Sequence, residues 1–183
     1  MLEVIQKTDE TVLTWIGDHL RADWMDPLMA VYTTLGNGGL VFIVLAVIFL
    51  FFRKTRRAGA SAAVGLALGA LSTNLIIKPL VSRPRPWIVM EGWEALVTSG
   101  DMNSFPSGHT TAAFAFAAAL CVALPQKWAK AAALIAAALM GFSRLYAGVH
   151  FPTDVLAGAA VGTLCGLLGG MIIARLRSRT AAG

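Results

Sequence analysis

Charged residues are scarce in this sequence. Only 14% of its 183 residues are Asp, Glu, Lys or Arg, whereas 57% are hydrophobic. A typical soluble domain has about 25% charged and roughly 45–50% apolar residues. A soluble fold of this length could not bury so much apolar surface. The composition therefore excludes a soluble globular domain, an intrinsically disordered chain and a disulfide-rich secreted module, and it favours a membrane protein.

The sequence also contains few cysteines. Cys121 and Cys165 are the only two, and both lie in apolar stretches. We interpret them as small core residues and expect no disulfide, because thiols buried in a bilayer rarely meet an oxidant. The net charge of +5 would indicate nucleic-acid binding only if the basic residues formed a patch on a soluble surface. Their distribution predicts a membrane topology instead, so no nucleic-acid partner is expected.

Five apolar segments predict a polytopic, all-α bundle of membrane-spanning helices. A helix needs about 20 apolar residues to cross a bilayer core of roughly 30 Å. Three segments reach that length without a charge, and two shorter ones need flanking residues to span. The last segment carries a glycine at every fourth position, which predicts a small-residue ridge and close helix packing. The segments are residues 28–52, 58–77, 110–124, 131–143 and 155–174.

Basic and acidic residues separate between the two sides of this predicted bundle. If the residues after the first span face the cytoplasm, nine of the fifteen basic residues and none of the ten acidic residues lie inside. Cytoplasmic loops carry the excess of Lys and Arg in membrane proteins. Five spans then predict a multi-pass protein of the cell membrane with its N-terminus outside and its C-terminus inside.

The first 27 residues lack the basic start and the continuous apolar core of a signal peptide. Apolar residues at helical spacing predict an amphipathic helix, which lies either on the outer membrane surface or against the bundle. We therefore expect one membrane domain over residues 1–183, with an interfacial helix at 1–26, the bundle at 27–175 and a cytoplasmic tail at 176–183. The apolar residues of the helix are Val12, Leu13, Ile16, Leu20 and Trp24.

Polar and charged residues gather at span ends that the predicted topology places on the outer side. Charged groups at a membrane boundary are costly and usually functional. Snorkelling anchors would explain a single lysine or arginine there, but not three bases, two histidines and a carboxylate on one side. The residues are Lys78, Arg85, Ser107, Gly108, His109, Arg144, His150 and Asp154.

The chemistry of these residues indicates a site for a phosphate-sized anion. Lys78, Arg85 and Arg144 supply three positive charges, and arginine forks match phosphate oxygens. Ser107 and Gly108 precede an apolar helix, where free N–H groups and the helix dipole favour an anion. A metal site is the competing use of two histidines and an aspartate, but three adjacent cations would repel a divalent ion. No cofactor is therefore expected.

The two histidines predict phosphoryl transfer at this site. One histidine can attack phosphorus while another protonates the leaving group. Asp154 lies four residues after His150, so it can orient that imidazole and stabilise the cation that forms. His109 has no carboxylate nearby in the sequence. We therefore interpret His150 as the nucleophile and His109 as the general acid.

Three motifs carry a resemblance to a known family. In order, they are Lys78 followed by six residues and Arg85-Pro86; Pro106-Ser107-Gly108-His109; and Ser143-Arg144, five residues, His150, three residues and Asp154. Together they resemble the signature of the type 2 phosphatidic acid phosphatase family of integral membrane lipid phosphatases.

The resemblance implies a helical bundle over nearly the whole chain and a role for each motif residue. It implies a phosphohistidine on His150, oriented by Asp154, with His109 protonating the departing oxygen and no metal taking part. The residues that it implies hold the phosphate are Lys78, Arg85, Ser107, Gly108 and Arg144.

We therefore expect a lipid phosphatase whose active site lies on the extracytoplasmic face. Undecaprenyl diphosphate is the favoured substrate, with phosphatidylglycerophosphate and phosphatidic acid as the other candidates. Two further functions remain open: a phosphotransferase of the same superfamily that passes the phosphoryl group to another lipid, and a transporter or scaffold with an anion site. Trp87, Met90 and Trp93 in the loop 79–105 either line a lipid entrance or anchor the loop at the headgroups.

Overall fold

The chain folds into helices, as expected for apolar segments that must satisfy their own backbone hydrogen bonds in a bilayer. A computed structural model describes residues 2–98 and 100–182. Within these ranges no strand forms, and an isolated β-bridge joins Pro84 to Asn103. The predicted all-α class is confirmed. The helices are α1 (Leu2–Leu20), α2 (Asp26–Leu35), α3 (Leu40–Phe51), α4 (Arg56–Ala70), α5 (Lys78–Val81), α6 (Pro86–Val89), α7 (Gly108–Ala123), α8 (Lys127–Tyr146) and α9 (Pro152–Ala182).

Three of the described helices are long and apolar enough to cross a membrane, namely Arg56–Val81, Lys127–Tyr146 and Pro152–Ser178. The bent pair of α2 and the segment that contains α3 would supply a fourth span. α7 has only 16 residues, which at 1.5 Å per residue cover about 24 Å, less than the roughly 30 Å of a bilayer core. The protein is therefore membrane-integral with three or four candidate spans, and the count of five stays a prediction.

The first predicted span is not one straight helix. α2 and α3 are bent by 45° about a short 3₁₀ turn at Asn37–Gly39. Gly38 and Gly39 have φ angles of +61° and +70°, in the left-handed region that glycine reaches without a steric penalty. These two glycines therefore allow the chain to change direction inside the apolar segment. The break leaves the polar side chain of Asn37 beside His109.

The second predicted span is a continuous helix with an irregular end. α4 and α5 are joined by the π-helical segment Leu71–Ile77, which makes one helix from Arg56 to Val81. π segments are rare and frequent at functional sites. This segment leads directly into Lys78, while Arg56 starts the helix at the opposite end of the bundle. At 1.5 Å per residue the two residues are about 33 Å apart.

α7 forms the centre of the bundle and packs against α4, α8 and α9. Most of its buried side chains are alanines, which let neighbouring helices approach closely. A Cβ on Gly158 of α9 would lie 2.7 Å from the carbonyl oxygen of Ser107, so a larger residue there would have to displace the Ser107 backbone. The glycine ridge thus brings the first turn of α9 against the start of α7, where Ser107 N donates to the carbonyl oxygen of Asp154 (3.0 Å).

α1 is a helix that packs against α8 and α9. Leu13 and Ile16 from its predicted apolar side are buried, whereas Val12 is exposed. Trp24 lies beyond the end of α1, in a turn, and is exposed. The packing on the bundle is therefore observed, and the position of α1 on the membrane surface stays a prediction. At the other end of the chain, α9 continues to Ala182, through most of the segment predicted as a tail.

Candidate active site

The eight residues singled out in the sequence meet at one end of the bundle. Lys78, Arg85, Gly108, His109 and His150 line a common cavity of about 230 Å³. Four helix ends and two loops bring them together, because α5, α7, α8 and α9 all begin or end on this side. Asp154 lies directly behind His150, Ser107 caps α7, and Arg144 lies in the last turn of α8.

His150 lies fully buried in the loop between α8 and α9. Its Nε2 accepts a hydrogen bond from Arg85 Nη1 (3.1 Å). Because a guanidinium can only donate, the proton of the neutral imidazole is on Nδ1. Nδ1 lies 3.5 Å from Asp154 Oδ2, so the carboxylate faces the protonated nitrogen. Nδ1 has no hydrogen-bond partner among the described residues, so Asp154 is the nearest carboxylate to it without bonding to it, and the predicted orienting role of Asp154 stays a prediction.

The electrostatic environment keeps His150 neutral. Burial first, and then the charges of Arg85, Arg144 and Lys78, hold the pKa of this imidazole well below its usual range. A neutral imidazole with its lone pair on Nε2 is the form that can attack an electrophile. His150, which carries this nitrogen, is one of the residues that line the cavity.

The cations of the cavity are partly neutralised by a carboxylate that the sequence analysis did not assign to the site. Asp101 forms an ion pair with Lys78, and its Oδ2 lies 3.7 Å from Arg85 Nη2. Arg85 Nε also donates to the Asp101 carbonyl oxygen (2.5 Å). Burial alone would raise the pKa of Asp101, but the Lys78 hydrogen bond and the nearby cations lower it overall. Asp101 therefore holds a negative charge where an anionic ligand would bind.

Arg144 is buried at the end of α8 with part of its guanidinium unused. Nη1 donates to Thr33 Oγ1 (2.6 Å) from α2. The buried Nε has no hydrogen-bond partner among the described residues. An unsatisfied charged donor in a buried position costs free energy, and an anion accepting from it would remove that cost.

His109 occupies the first turn of α7, on the side of the cavity opened by the break between α2 and α3. Its Nε2 donates to Asn37 Oδ1 (2.9 Å). The helix start is held by Ser107, whose hydroxyl oxygen accepts from Thr110 Oγ1 (2.9 Å). Asn37 was not predicted as a site residue, although an asparagine between glycines in an apolar run is a detectable signal.

Asp154 is held in place by a backbone hydrogen bond and by an ion pair with an arginine. Its Oδ2 accepts from the backbone N–H of Phe151 (2.8 Å), and its Oδ1 accepts from Arg83 Nη1 (2.7 Å). Arg83 Nη2 in turn donates to Asp9 Oδ2 of α1 (2.7 Å). Neither Arg83 nor Asp9 was predicted as a site residue. Arg83 lies inside the first motif, but nothing in the sequence links it to Asp9, which is 74 residues away.

No group of three or more His, Cys, Asp or Glu side chains suited to a metal ion occurs in residues 2–98 and 100–182.

The segment that carries the three motifs matches a known family. The family model described as "PAP2 superfamily" matches residues 58–177. An undecaprenyl-diphosphatase from Sulfolobus acidocaldarius is 30% identical over 123 residues, which is 67% of this chain and 59% of that protein. A lipid A 1-phosphatase from Rhizobium johnstonii is 31% identical over 162 residues, 76% of this chain and 65% of that protein. The chain thus spans less than two thirds of the length of these two relatives.

A phosphatidylglycerophosphatase B from Bacillus subtilis is 32% identical over 172 residues, 87% of this chain and 80% of that protein. Two crystal structures are similar in fold. Aquifex aeolicus LpxE superposes with a TM-score of 0.77 at 30% identity, covering 87% of this chain and 92% of that chain. The PAP2-type phosphatidylglycerolphosphate phosphatase from Bacillus subtilis gives a TM-score of 0.76 at 30% identity, covering 94% and 87%.

Proposed function

Since the chain belongs to the PAP2 superfamily, we propose that it is an integral membrane phosphatase that hydrolyses a lipid phosphate or diphosphate through a phosphohistidine on His150. The observation that carries the proposal is the state of that imidazole. Nε2 accepts from Arg85, Nδ1 faces Asp154, and burial together with the surrounding cations holds the pKa of the imidazole low. A metal is not required for this chemistry, since the cations and the histidines supply charge stabilisation and proton transfer.

The first half-reaction transfers the phosphoryl group to the protein. Phosphate oxygens accept hydrogen bonds from Lys78, Arg85 and Arg144. Ser107 and Gly108, at the start of α7, lie on the same side of the phosphate. Binding of the phosphate frees the Nε2 lone pair of His150, which attacks phosphorus as the bond to the leaving oxygen breaks. His109, protonated while the negative charge of the bound phosphate offsets the cations, gives its proton to that oxygen and becomes neutral. Asp154 stabilises the positive charge that the imidazole gains.

The second half-reaction releases phosphate. Water attacks the phosphohistidine, His109 accepts the proton of that water, and the Nε2–phosphorus bond breaks. The free imidazole and the protonated His109 are restored for the next substrate.

For the lipid, we favour undecaprenyl diphosphate with the site on the extracytoplasmic face. The support is the charge sorting of the sequence together with similarity to proteins named undecaprenyl-diphosphatase. Similarity to proteins named phosphatidylglycerophosphatase and lipid A phosphatase makes those lipids the competing substrates.

Phosphate release from the purified protein across a lipid panel tests this proposal. The panel contains undecaprenyl diphosphate, phosphatidylglycerophosphate, phosphatidic acid and lipid A, compared by kcat/KM. The expected result is the highest kcat/KM for undecaprenyl diphosphate. No release from any member would refute the phosphatase. Transfer of label to an added acceptor lipid in preference to water would identify a phosphotransferase, and the His150→Ala variant serves as the inactive control.

A further inference from the structure

Asp154 shares one arginine with a second buried carboxylate. Arg83 Nη1 donates to Asp154 Oδ1 and Arg83 Nη2 donates to Asp9 Oδ2, both at 2.7 Å. Asp9 is 2% exposed and Asp154 is 0% exposed. The guanidinium also lies 4.1 Å from the centre of the Phe151 ring. Arg83 thus bridges the two buried carboxylates of Asp9 and Asp154 immediately behind His150, the proposed nucleophile.

α1 is held in this arrangement through Asp9. Its Oδ1 accepts from the backbone N–H of Thr153 (3.0 Å), and its Oδ2 also accepts from the Thr153 hydroxyl. Gln6, one turn earlier on α1, accepts from Arg83 Nη2 (2.5 Å). The first turn of α9 is therefore joined to α1 directly at Thr153 and through Arg83 at Asp154.

From this network we propose that Asp9 and Arg83 are positioning residues that set the negative charge available to His150. The inference rests on the proposed function, because it requires Asp154 to orient a reacting histidine. Asp9, Arg83 and Asp154 together carry a net charge of −1. That negative charge compensates the positive charge of a phosphorylated imidazole. The compensation matters because Lys78, Arg85 and Arg144 already make the site cationic. Without the charge of Asp9, Arg83 neutralises Asp154 alone, and the stabilisation of the intermediate is weakened.

The Asp9→Asn variant tests this role, since the amide oxygen can still accept from the backbone N–H of Thr153 and keep that contact between α1 and α9. We expect kcat to fall about tenfold, the scale of coupling between interacting residues, while KM changes by less than about twofold. Asp18→Asn, which removes an exposed carboxylate from the same helix, is the matched control and should keep wild-type kcat. Arg83→Lys keeps the charge but cannot bridge both carboxylates, and should also lower kcat.

A double-mutant cycle separates this role from a structural one. If Asp9 acts through Asp154, adding Asp9→Asn to Asp154→Asn should change kcat by less than about twofold. Additive losses, an effect on KM alone or full activity in Asp9→Asn would each overturn the inference. An inactive wild type would instead refute the proposed function itself, so the two failures are distinguishable.

A different cluster lies at the opposite end of the bundle, where α4 begins and α9 approaches its C-terminus. A cavity of about 570 Å³ there is lined by arginines and by the apolar residues Ala60, Ile173 and Leu176. The Nε of Arg57 is buried and has no hydrogen-bond partner among the described residues. The arginines of the cavity are Arg53, Arg56, Arg57 and Arg177.

No acidic residue is available to neutralise these arginines. All ten acidic residues of the sequence lie in positions 1–26, in the loop 91–101 or at Asp154, which are on the side of the candidate active site. Arg53, Arg56 and Arg177 are exposed to solvent, which screens their mutual repulsion. The buried, unpartnered Nε of Arg57 is the donor that gains most from an anion in the cavity. Because the walls are aliphatic and the chain is membrane-integral, a lipid supplies both the anion and a matching apolar part.

We infer that this arginine cavity binds the phosphate group of an anionic membrane phospholipid, separately from the active site. Phosphatidylglycerol is a suitable probe because its phosphodiester is not a substrate for a monoester or diphosphate phosphatase. The Arg57→Gln/Arg177→Gln variant removes donors from two different helices, α4 and α9. Lys127→Gln/Lys130→Gln is the control, since it removes the same charge from the same end of the bundle outside the cavity.

Lipid retained by purified protein in detergent, measured by native mass spectrometry, tests this site without any influence of membrane orientation. We expect wild type and the lysine control to bind phosphatidylglycerol over phosphatidylcholine, and the arginine variant to bind phosphatidylglycerol at least about tenfold more weakly. Competition by inorganic phosphate alone, without retention of lipid, would show that the apolar wall plays no part and overturn the lipid assignment. Equal binding by the arginine variant and wild type would show that these arginines only orient the protein in the membrane.

Discussion

At the scale of single residues, the candidate site depends on an imidazole that is kept neutral in a positively charged environment. His150 is buried, and three cations face it, one from α5, one from the loop before α6 and one from α8. The cations that favour a phosphate anion also disfavour protonation of the nucleophile. One arrangement of charges therefore serves both binding and attack.

The two histidines should respond differently to substitution. His150→Ala removes the attacking nitrogen and should abolish both turnover and covalent capture of phosphate. His109→Ala removes only the acid, so it should cripple lipid monoesters, whose alkoxide must be protonated, and affect an activated aryl phosphate less. Rapid labelling with phosphorus-labelled lipid checks the assignment. Acid-labile label on His150→Ala and none on His109→Ala would reverse the two roles.

Asp101 should compete with the substrate for the cations of the cavity. It pairs with Lys78 and Arg85, so Asp101→Asn should lower KM severalfold by freeing these donors. Because the pKa of Asp101 is lowered, its carboxylate is charged and competes with the substrate at neutral pH. The competition ends only as the pH falls through that pKa. Steady-state kinetics of phosphate release check the effect, with Glu91→Gln, an exposed carboxylate of the same loop, as the control. An unchanged or raised KM in Asp101→Asn would contradict it.

At the scale of helices, close packing of α9 on α7 places Asp154 beside the start of α7. Gly158 is the point of contact, because its Cα faces the Ser107 carbonyl and the Thr110 side chain. The same packing puts the backbone N–H of Ser107 on the carbonyl oxygen of Asp154. The separation of two helices thus controls the geometry of the site.

Gly158→Ala should therefore impair both stability and activity. The added methyl must displace the Ser107 backbone, and overpacking of this kind costs about 1–3 kcal/mol. We expect a thermal midpoint lower by several degrees and a reduced kcat. Ala160→Val, which adds carbon atoms at an exposed position of the same helix, is the control. A variant with wild-type midpoint and kcat would show that α7 and α9 can separate freely.

At the scale of the whole molecule, charge is divided between the two ends of the bundle. The acidic residues accompany the candidate active site, and the arginine cavity lies about 33 Å away along one continuous helix. We propose that the site end faces outside, because Lys and Arg are enriched on the cytoplasmic side of membrane proteins.

Accessibility of single cysteines should reveal this orientation. In a background without Cys121 and Cys165, Arg56→Cys should resist a membrane-impermeant thiol reagent in intact cells, whereas Glu94→Cys should react. Both should react after the membrane is permeabilised. The opposite pattern in intact cells would place the candidate active site on the cytoplasmic side.

The sequence by itself determined the all-α class, the membrane-integral character and the residues of the three motifs. Hydropathy is a local property, and the cost of placing charge in a bilayer confines polar residues to span ends. The break at Gly38 and Gly39 was not predicted, because an average over a long window does not register two glycines. The limited length of α7 was visible in its segment, which needed flanking residues to span.

Only the tertiary structure decided which polar residues support the motif residues. Asp9 and Arg83 are 74 positions apart, Asn37 and His109 are 72 apart, and Lys78 and Asp101 are 23 apart. No periodicity relates such positions, since each contact depends on how helices and loops from different parts of the chain pack against one another. The charge balance around His150 could not be predicted from the sequence either, because burial and distance, rather than residue type, set the strength of each electrostatic interaction.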